Sequence, residues 1–393
     1  MKRLAAVIMS AAMLCACGSD GRRGEKAAPR DWRIVSQYDM SEYERGGCFV
    51  SDGDDMLEFL DLSSALKTPV CDDPTCTHTK DEGCTAFGKT NHPFIYGEKL
   101  YYFKSTDFVK NSDETYSAGC ELWQSDLNGK SEKMVCEFPK YQFEPYNRLL
   151  LRGSCIYMTM SEAPYDRDFN ALAATVRLVR CDLEKGSSED AAELVSGYSV
   201  GASIGGVWNG KLILTATKPE VNKPFMERFE EYKEKNSLTE KEAWKTFAEN
   251  EKYVTAVYEF DEQSKKLTDI KLPAPALITE SAYYYSDGET LKYIDGEGRE
   301  KSLGKTDTND SIRQLGGYVS YSSGGVTYLL DESSGEETKL NGSYDILFAD
   351  SESIIYRMTE DPKFIEIDGE TVVDGNYIPK TEYIKKSMKG LRE

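Results

Sequence analysis

Three thiols and one imidazole fall within 14 residues near the start of the body of this chain, as Cys71-Asp-Asp-Pro-Thr-Cys76-Thr-His78 followed by Cys84. Thiolate and imidazole are the ligands that zinc prefers, so a tetrahedral Cys3His site is one reading. Alternate residues of an extended chain point the same way, which brings Cys76 and His78 together. The spacings of four, one and five intervening residues match no standard zinc finger. The rival reading couples Cys71, Cys76 and Cys84 with Cys48 in two disulfides and leaves His78 without a role. An oxidising compartment favours the disulfides, and a reducing habitat favours thiols, metal-bound, free or redox-active. Bonded or liganded, the cluster is structural, because four ligands close a site and leave no open position for catalysis.

Four further cysteines suggest disulfides. Cys120 and Cys136 flank the Asn128-Gly129 turn almost symmetrically, and Cys155 and Cys181 lie in consecutive strands where one in-register ladder sets them opposite each other. Other motifs promise less. Gly201-Ala-Ser203-Ile-Gly205 spells a nucleophile elbow, yet the two histidines, His78 and His92, both lie upstream and a strand follows, so a glycine-rich turn is the better reading. Ser51-Asp52-Gly53-Asp54-Asp55 hints at calcium, but Ser63 occupies the twelfth position, where a bidentate Glu is needed. Paired carboxylates for glycosidase work have too many candidates among 68 acidic residues to single any out.

The elements that position these groups begin with an address. Lys2 and Arg3 precede an apolar run from Leu4 to Leu14, too short to span a bilayer, and the segment ends in Leu14-Cys15-Ala16-Cys17. That order resembles the bacterial lipobox, which implies that residues 1–16 are a signal peptide and that Cys17 becomes a lipidated N-terminus. Residues 17–31 then read as the lipidated cysteine and a flexible tether. The expected location is the extracytoplasmic side of the cell membrane, held by acyl chains. A formal charge of −20 repels phosphate backbones and anionic headgroups, which argues against nucleic acid as a partner.

From Trp32 onward a unit recurs: a strand rich in Tyr, Leu or Ile, a strand ending near Asp, a Gly-containing turn, and another strand. Phe94-Ile-Tyr96 to Phe103 with Glu121 to Gly129 is one case, and Cys155 to Met160 with Arg177 to Gly186 is the next. Seven such units predict an all-β fold, a seven-bladed β-propeller, over residues 32–378, with 379–393 as a C-terminal tail. The competing architecture is a pair of β-sandwiches. Ring closure should pair Trp32 to Tyr38 with the last blade. Residues 219–253 break the pattern: Phe225, Phe229 and Tyr232, then Trp244 and Phe247, recur at helical spacing, with Thr239 and Glu242 as a capping box. They predict a helical hairpin whose aromatic stripe packs down on the ring.

Tyr284-Tyr285-Ser286-Asp287 is loosely similar to the Tyr-Trp-Thr-Asp repeat of receptor propellers. More broadly the chain resembles bacterial β-propeller lipoproteins with an early Cys/His cluster. The resemblance implies a fold and an address, and no activity. The expected function is therefore a membrane-anchored, non-catalytic binding or scaffolding propeller with a protein or glycan partner. The alternative is a carbohydrate-active enzyme, glycosidase or lyase, on the same scaffold.

Overall fold

Residues with β-branched and aromatic side chains alternate with small or charged ones along most of the body, and this period of two builds antiparallel strands. The computed structural model describes residues 32–37, 40–41, 45–51, 55–80, 83–143, 147–305, 312–340, 342, 344–359, 364–367, 370–373 and 381–389. Cys17, the signal segment, the tether and Asp52 to Asp54 lie outside the described residues.

Seven antiparallel sheets follow one another along the chain as the blades of a propeller. Blade one holds Gly47–Val50, Glu58–Asp61 and Leu66–Pro69. Blade two holds Phe94–Tyr96, Lys99–Ser105, Cys120–Ser125 and Lys133–Phe138, and blade three Arg148–Arg152, Cys155–Glu162, Ala174–Asp182 and Ser187–Gly197. Blade four is Gly201–Trp208, Lys211–Pro219, Tyr253–Asp261 and Lys266–Asp269. Blade five is Pro275–Ile278, Ala282–Ser286, Thr290–Asp295 and Glu300–Lys305, and blade six Arg313–Leu315, Tyr318–Ser323, Val326–Asp331 and Glu337–Lys339. Blade seven is Asp345–Ala349, Ser353–Thr359 and Thr381–Ser387.

The recurring Asp has a physical reason. It ends the third strand of its blade, and its carboxylate accepts hydrogen bonds from the turn that follows: Asp261 from Ser264 N–H at 2.9 Å, Asp295 from Arg299 N–H at 2.9 Å, Asp331 from Ser333 N–H at 2.8 Å. Backbone donors satisfied in this way hold the Asp261 and Asp295 carboxyls below their usual range. Glycine in the pseudo-elbow also has a structural role. Gly201 to Gly205 lie in the first strand of blade four, where Ser203 hydrogen-bonds Thr215 at 2.7 Å, and a Cβ on Gly205 would lie 2.6 Å from Pro275 of blade five. The glycines permit close approach of two blades, as a turn reading did not foresee, and the hydrolase motif is accidental.

Blade seven meets blade one by face packing: Cys48, Val50 and Leu60 share a core with Leu347 and Ile355, and Lys385 donates to the Leu62 and Ser63 carbonyls at 3.2 and 3.1 Å. The expected strand exchange does not occur. Arg33–Gln37 instead pairs with Arg148–Arg152, the first strand of blade three, with Arg33 opposite Leu151. It then turns back through Met40–Ser41, whose Ser41 Oγ accepts from Phe49 N–H at 2.7 Å. The reason lies in its two apolar faces. Val35 joins the core between blades two and three while Ile34 and Trp32 join that between three and four. An inner position covers both faces, whereas an outer edge leaves one to water. The C-terminal end also departs from expectation, since Thr381–Ser387 pairs with Ser353–Thr359 and carries the propeller past residue 378 into the proposed tail.

The helical hairpin forms as its spacing predicts, with helix α1 over Phe225–Asn236 and helix α2 over Glu240–Asn250, between the second and third strands of blade four. Thr239 caps α2: its hydroxyl accepts from Glu242 N–H, and the Glu242 carboxylate accepts from Thr239 N–H at 2.9 Å. Its aromatic stripe does not lie down on the ring. Phe229, Ala243 and Phe247 are buried against one another with Tyr232 and Leu238 around them, so the two helices make a small core of their own. No helix among the described residues is long and apolar enough to cross a membrane.

His92, in the link to blade two, is buried against the Phe143 ring at 5.0 Å, and its Nδ1 has no hydrogen-bond partner among the described residues. Burial lowers its pKa from 6.5 to about 4. Above pH 6.5 both folded and unfolded chains hold it neutral. As pH falls from 6.5 to 4 only the unfolded chain takes the proton, so folding stability drops by about 3 kcal/mol and then levels off. Urea midpoints at pH 7, 5.5 and 4.5 should show this slope in the wild type and a shallower one in His92→Phe, and equal slopes would count against a neutral buried imidazole.

Candidate metal centre

Residues 70–93 connect the last strand of blade one to Phe94, and the connection is pinned to both blades. On the first, Leu57 N–H donates to Ala86 O at 2.8 Å and Val70 N–H to Leu57 O at 2.9 Å. On the second, Thr85 Oγ1 donates to Asn128 O at 2.8 Å, while Asp72 accepts from Asn128 Nδ2 at 2.8 Å and from Lys130 Nζ at 2.6 Å. The Lys130 ammonium and the Asn128 amide hold the Asp72 carboxyl below its usual range. Within the connection, Asp73 forms an Asx turn, taking hydrogen bonds from Thr75 N–H at 2.9 Å and Thr75 Oγ1 at 2.7 Å, and Cys76 N–H reaches Asp73 O at 3.2 Å.

These anchors gather the four predicted ligands. The sulfurs of Cys71, Cys76 and Cys84 and a ring nitrogen of His78 all lie within 4.8 Å of one another. Cys84 Sγ stands 3.5 Å from His78 Nδ1. A tetrahedron with Zn–S near 2.3 Å and Zn–N near 2.0 Å has an S···N edge of about 3.5 Å, so the donors fit that metal in type, number and spacing. Two sulfurs accept backbone N–H groups, Cys76 from His78 at 3.4 Å and Cys84 from Ala86 at 3.5 Å, which supports thiolate charge. The chain reaches this arrangement by a different route from the extended one its sequence suggested: His78 has φ of +56°, in the left-handed region, and that bend aims the imidazole at Cys84.

Burial works to raise the Cys71 thiol, but hydrogen bonds with the Asp73 backbone, Thr85, Cys84 and Cys76 outweigh it and lower the thiol. Cys84, deeper in the core with Leu57, Leu100 and Tyr102, is pushed by burial up to about 11. A cation among the thiols would reverse that second shift, since metal binding requires the thiolates.

Cys48 takes no part. Its neighbour Phe49 faces the core beside the metal centre, and alternation along the strand turns Cys48 to the core between blades one and seven. The two-disulfide reading of the cluster thus loses its fourth member. The other expected pairs also fail. Cys155 is opposite Asp182 and Cys181 opposite Ile156, so a one-residue offset sends the two thiols to opposite faces of blade three. Cys120 is opposite Phe138 and Cys136 opposite Leu122, two residues out of step. Among the described residues no two thiols stand at bonding distance.

No protein-family model matches the chain, and no curated protein is similar to it. Several solved structures are similar in fold. They include YjhT (12% identity, 75% of this chain and 97% of that one, TM-score 0.37), an oligogalacturonate lyase in complex with manganese (11%, 93% and 96%, 0.41) and TolB from Acinetobacter baumannii (11%, 83% and 76%, 0.29). At this level the likeness assigns no chemistry, which rests on the chain's own residues.

Gly129 decides how closely the connection docks. It has φ of +77°, and a Cβ there would lie 2.4 Å from Thr85 O, one residue from Cys84. Gly129→Ala should therefore cost about 1–3 kcal/mol through strain and displaced backbone and should weaken metal retention. Thermal melts and a zinc competition titration measure both, and an unchanged zinc affinity would show that the turn does not position the ligands.

Proposed function

We propose that this protein is a lipid-anchored extracytoplasmic propeller that binds a protein or glycan partner without transforming it, and that a zinc ion held by Cys71, Cys76, His78 and Cys84 fastens its first two blades. Zinc would supply cross-linking and charge neutralisation there, with all four positions taken by protein.

The observation that carries the binding reading is an aromatic surface on one face of the ring. Antiparallel strands alternate in direction, so the connections between second and third strands of different blades emerge together. Those of blades two and three join directly: Tyr116 and Tyr165 exchange N–H···O bonds of 2.8 Å in both directions, and Arg167 pairs with Glu114 at 2.6 Å. Phe108 and Phe169 meet edge to face with ring centres 5.6 Å apart and remain 49% and 56% exposed. The hairpin of blade four adds Trp244, 47% exposed and stacked on Phe229 at 4.2 Å. Rigid rings held half in water on packed loops are a usual basis for partner or sugar recognition.

The address and the face are tested together. Cys17→Ala should move the protein from the membrane fraction to the soluble one, because the acyl chains supply about 0.8 kcal/mol per buried methylene. Cross-linking on intact cells, followed by mass spectrometry, should recover a specific partner with the wild type and lose it with the triple variant Phe108→Ala, Phe169→Ala, Trp244→Ala. Turnover of a glycan bound at this face would replace the binding reading with an enzymatic one.

A further inference from the structure

The joint between blades two and three brings two thiols together from different sheets. Cys136 lies in the fourth strand of blade two and Cys181 in the third strand of blade three, paired across to Ile156 on one side and Ser188 on the other. Both are buried in one apolar cluster with Phe138, Met158 and Leu183. The two thiols act on one another's titration, Cys136 being lowered and Cys181 raised, and Ser188, opposite Cys181 in its ladder, also lowers Cys136. The Cys136 thiol itself faces the Glu137 carbonyl oxygen at 3.8 Å. The backbones around them are fixed. Gly186, at φ +64° in the turn of blade three, stands so close to blade two that a Cβ would lie 2.7 Å from the Val135 carbonyl oxygen, next to Cys136. Tyr96 Oη donates to Glu184 at 3.0 Å and Tyr141 Oη to Asp190 at 2.9 Å, tying the same two blades on either side of the pair.

We propose that Cys136 and Cys181 are a cross-blade dithiol that closes to a disulfide by exchange with a small-molecule or protein disulfide. Cys136, 8% exposed against 0% for Cys181, is the point of attack. Cys181 and Ser188 lower the Cys136 thiol, which favours the thiolate, the reacting form. The Cys136 thiolate attacks one sulfur of the incoming disulfide RSSR and expels the first RS−, leaving a mixed disulfide on Cys136. Cys181 then gives up its proton, attacks the Cys136 sulfur and expels the second RS−. Two protons released by the cysteines pass to the two RS−, RSSR is reduced by two electrons to two RSH, and the cysteines are oxidised by two electrons to the bridge. Export supplies such an oxidant in the cell, and that part rests on the proposed address; the geometry and the test below do not.

The competitor is Cys120, in the same cluster on the neighbouring strand. The full chain is treated with oxidised glutathione, digested without reduction and mapped by mass spectrometry. The expected result is one peptide pair joining Cys136 to Cys181, in the wild type and in Cys120→Ser alike, with a thermal midpoint several degrees above that of the reduced protein. In Cys181→Ser the midpoint should not respond to oxidation, and Cys136 should carry glutathione. A Cys120–Cys136 bridge, or Cys136 and Cys181 both alkylated after oxidation of the wild type, would overturn the proposal without bearing on the binding face or the lipid anchor.

Discussion

Protein purified without chelator is expected to carry one zinc per chain, and stripping it, or replacing Cys84 with Ser, should loosen the joint between the first two blades. Structural zinc binding in small modules is worth about 10–16 kcal/mol, of which about 3–5 kcal/mol should appear in the unfolding of this protein. The discount follows from the other anchors, because the Asn128, Lys130 and Leu57 hydrogen bonds hold residues 70–93 against both blades without a metal. The loss should be local first. Hydrogen exchange should speed up at the amides of residues 76–88 while blades four to six keep their protection. Elemental analysis gives the stoichiometry. Metal-free protein with a bridge among Cys71, Cys76 and Cys84 would sink the zinc site, and stoichiometric zinc with all three alkylatable after its removal would sink the disulfide alternative.

Arg228→Met should unfasten the helical hairpin. Arg228 is buried at the foot of α1, paired through its Nε with the equally buried Glu251, and it also donates to the Lys223 carbonyl and, at 3.0 Å, to Ser199 Oγ in the turn from blade three to blade four. The substitution leaves the Glu251 carboxylate buried without its cation, which costs about 3–5 kcal/mol. Tyr253 still donates to Glu251 at 2.8 Å, a single bond that cannot replace a guanidinium. Because the hairpin has its own core in Phe229, Ala243 and Phe247, the penalty should fall on its docking. Proteolysis between residues 223 and 253 should accelerate by roughly a hundredfold or more while the main thermal transition moves little. The double variant Arg228→Met, Glu251→Leu should recover most of the resistance, and failure of that rescue would show that Arg228 acts through something other than this pair.

Much of the architecture is legible in the sequence because its causes are local. Blades three, five and six repeat a strand, an Asp that satisfies the following turn and a glycine at positive φ, and Ala65 and Lys265 take the glycine's place in blades one and four, so the repeat can be counted without knowing how the blades meet. The α2 capping box is local in the same way, since Thr239 and Glu242 satisfy each other's backbone across three residues. The four metal-ligand residues stand within 14 positions, and a short connection brings such groups together under many folds.

What the sequence by itself determined is thus the strand repeat, the helical insertion and the membership of the Cys/His cluster. Tertiary structure alone decided the partners between distant segments. Cys48 and Phe49 are adjacent in sequence yet serve different blade interfaces; Cys155 and Cys181 miss each other by a single register step; and Cys136 shares a buried core with Cys181, a residue of another sheet. The N-terminal strand found blade three because only an inner position covers both Ile34 and Val35. Strand alternation assigns a side chain to one of two faces, and a shift of one residue exchanges them, so pairings across sheets depend on register and on blade packing, which sum contributions from the whole ring.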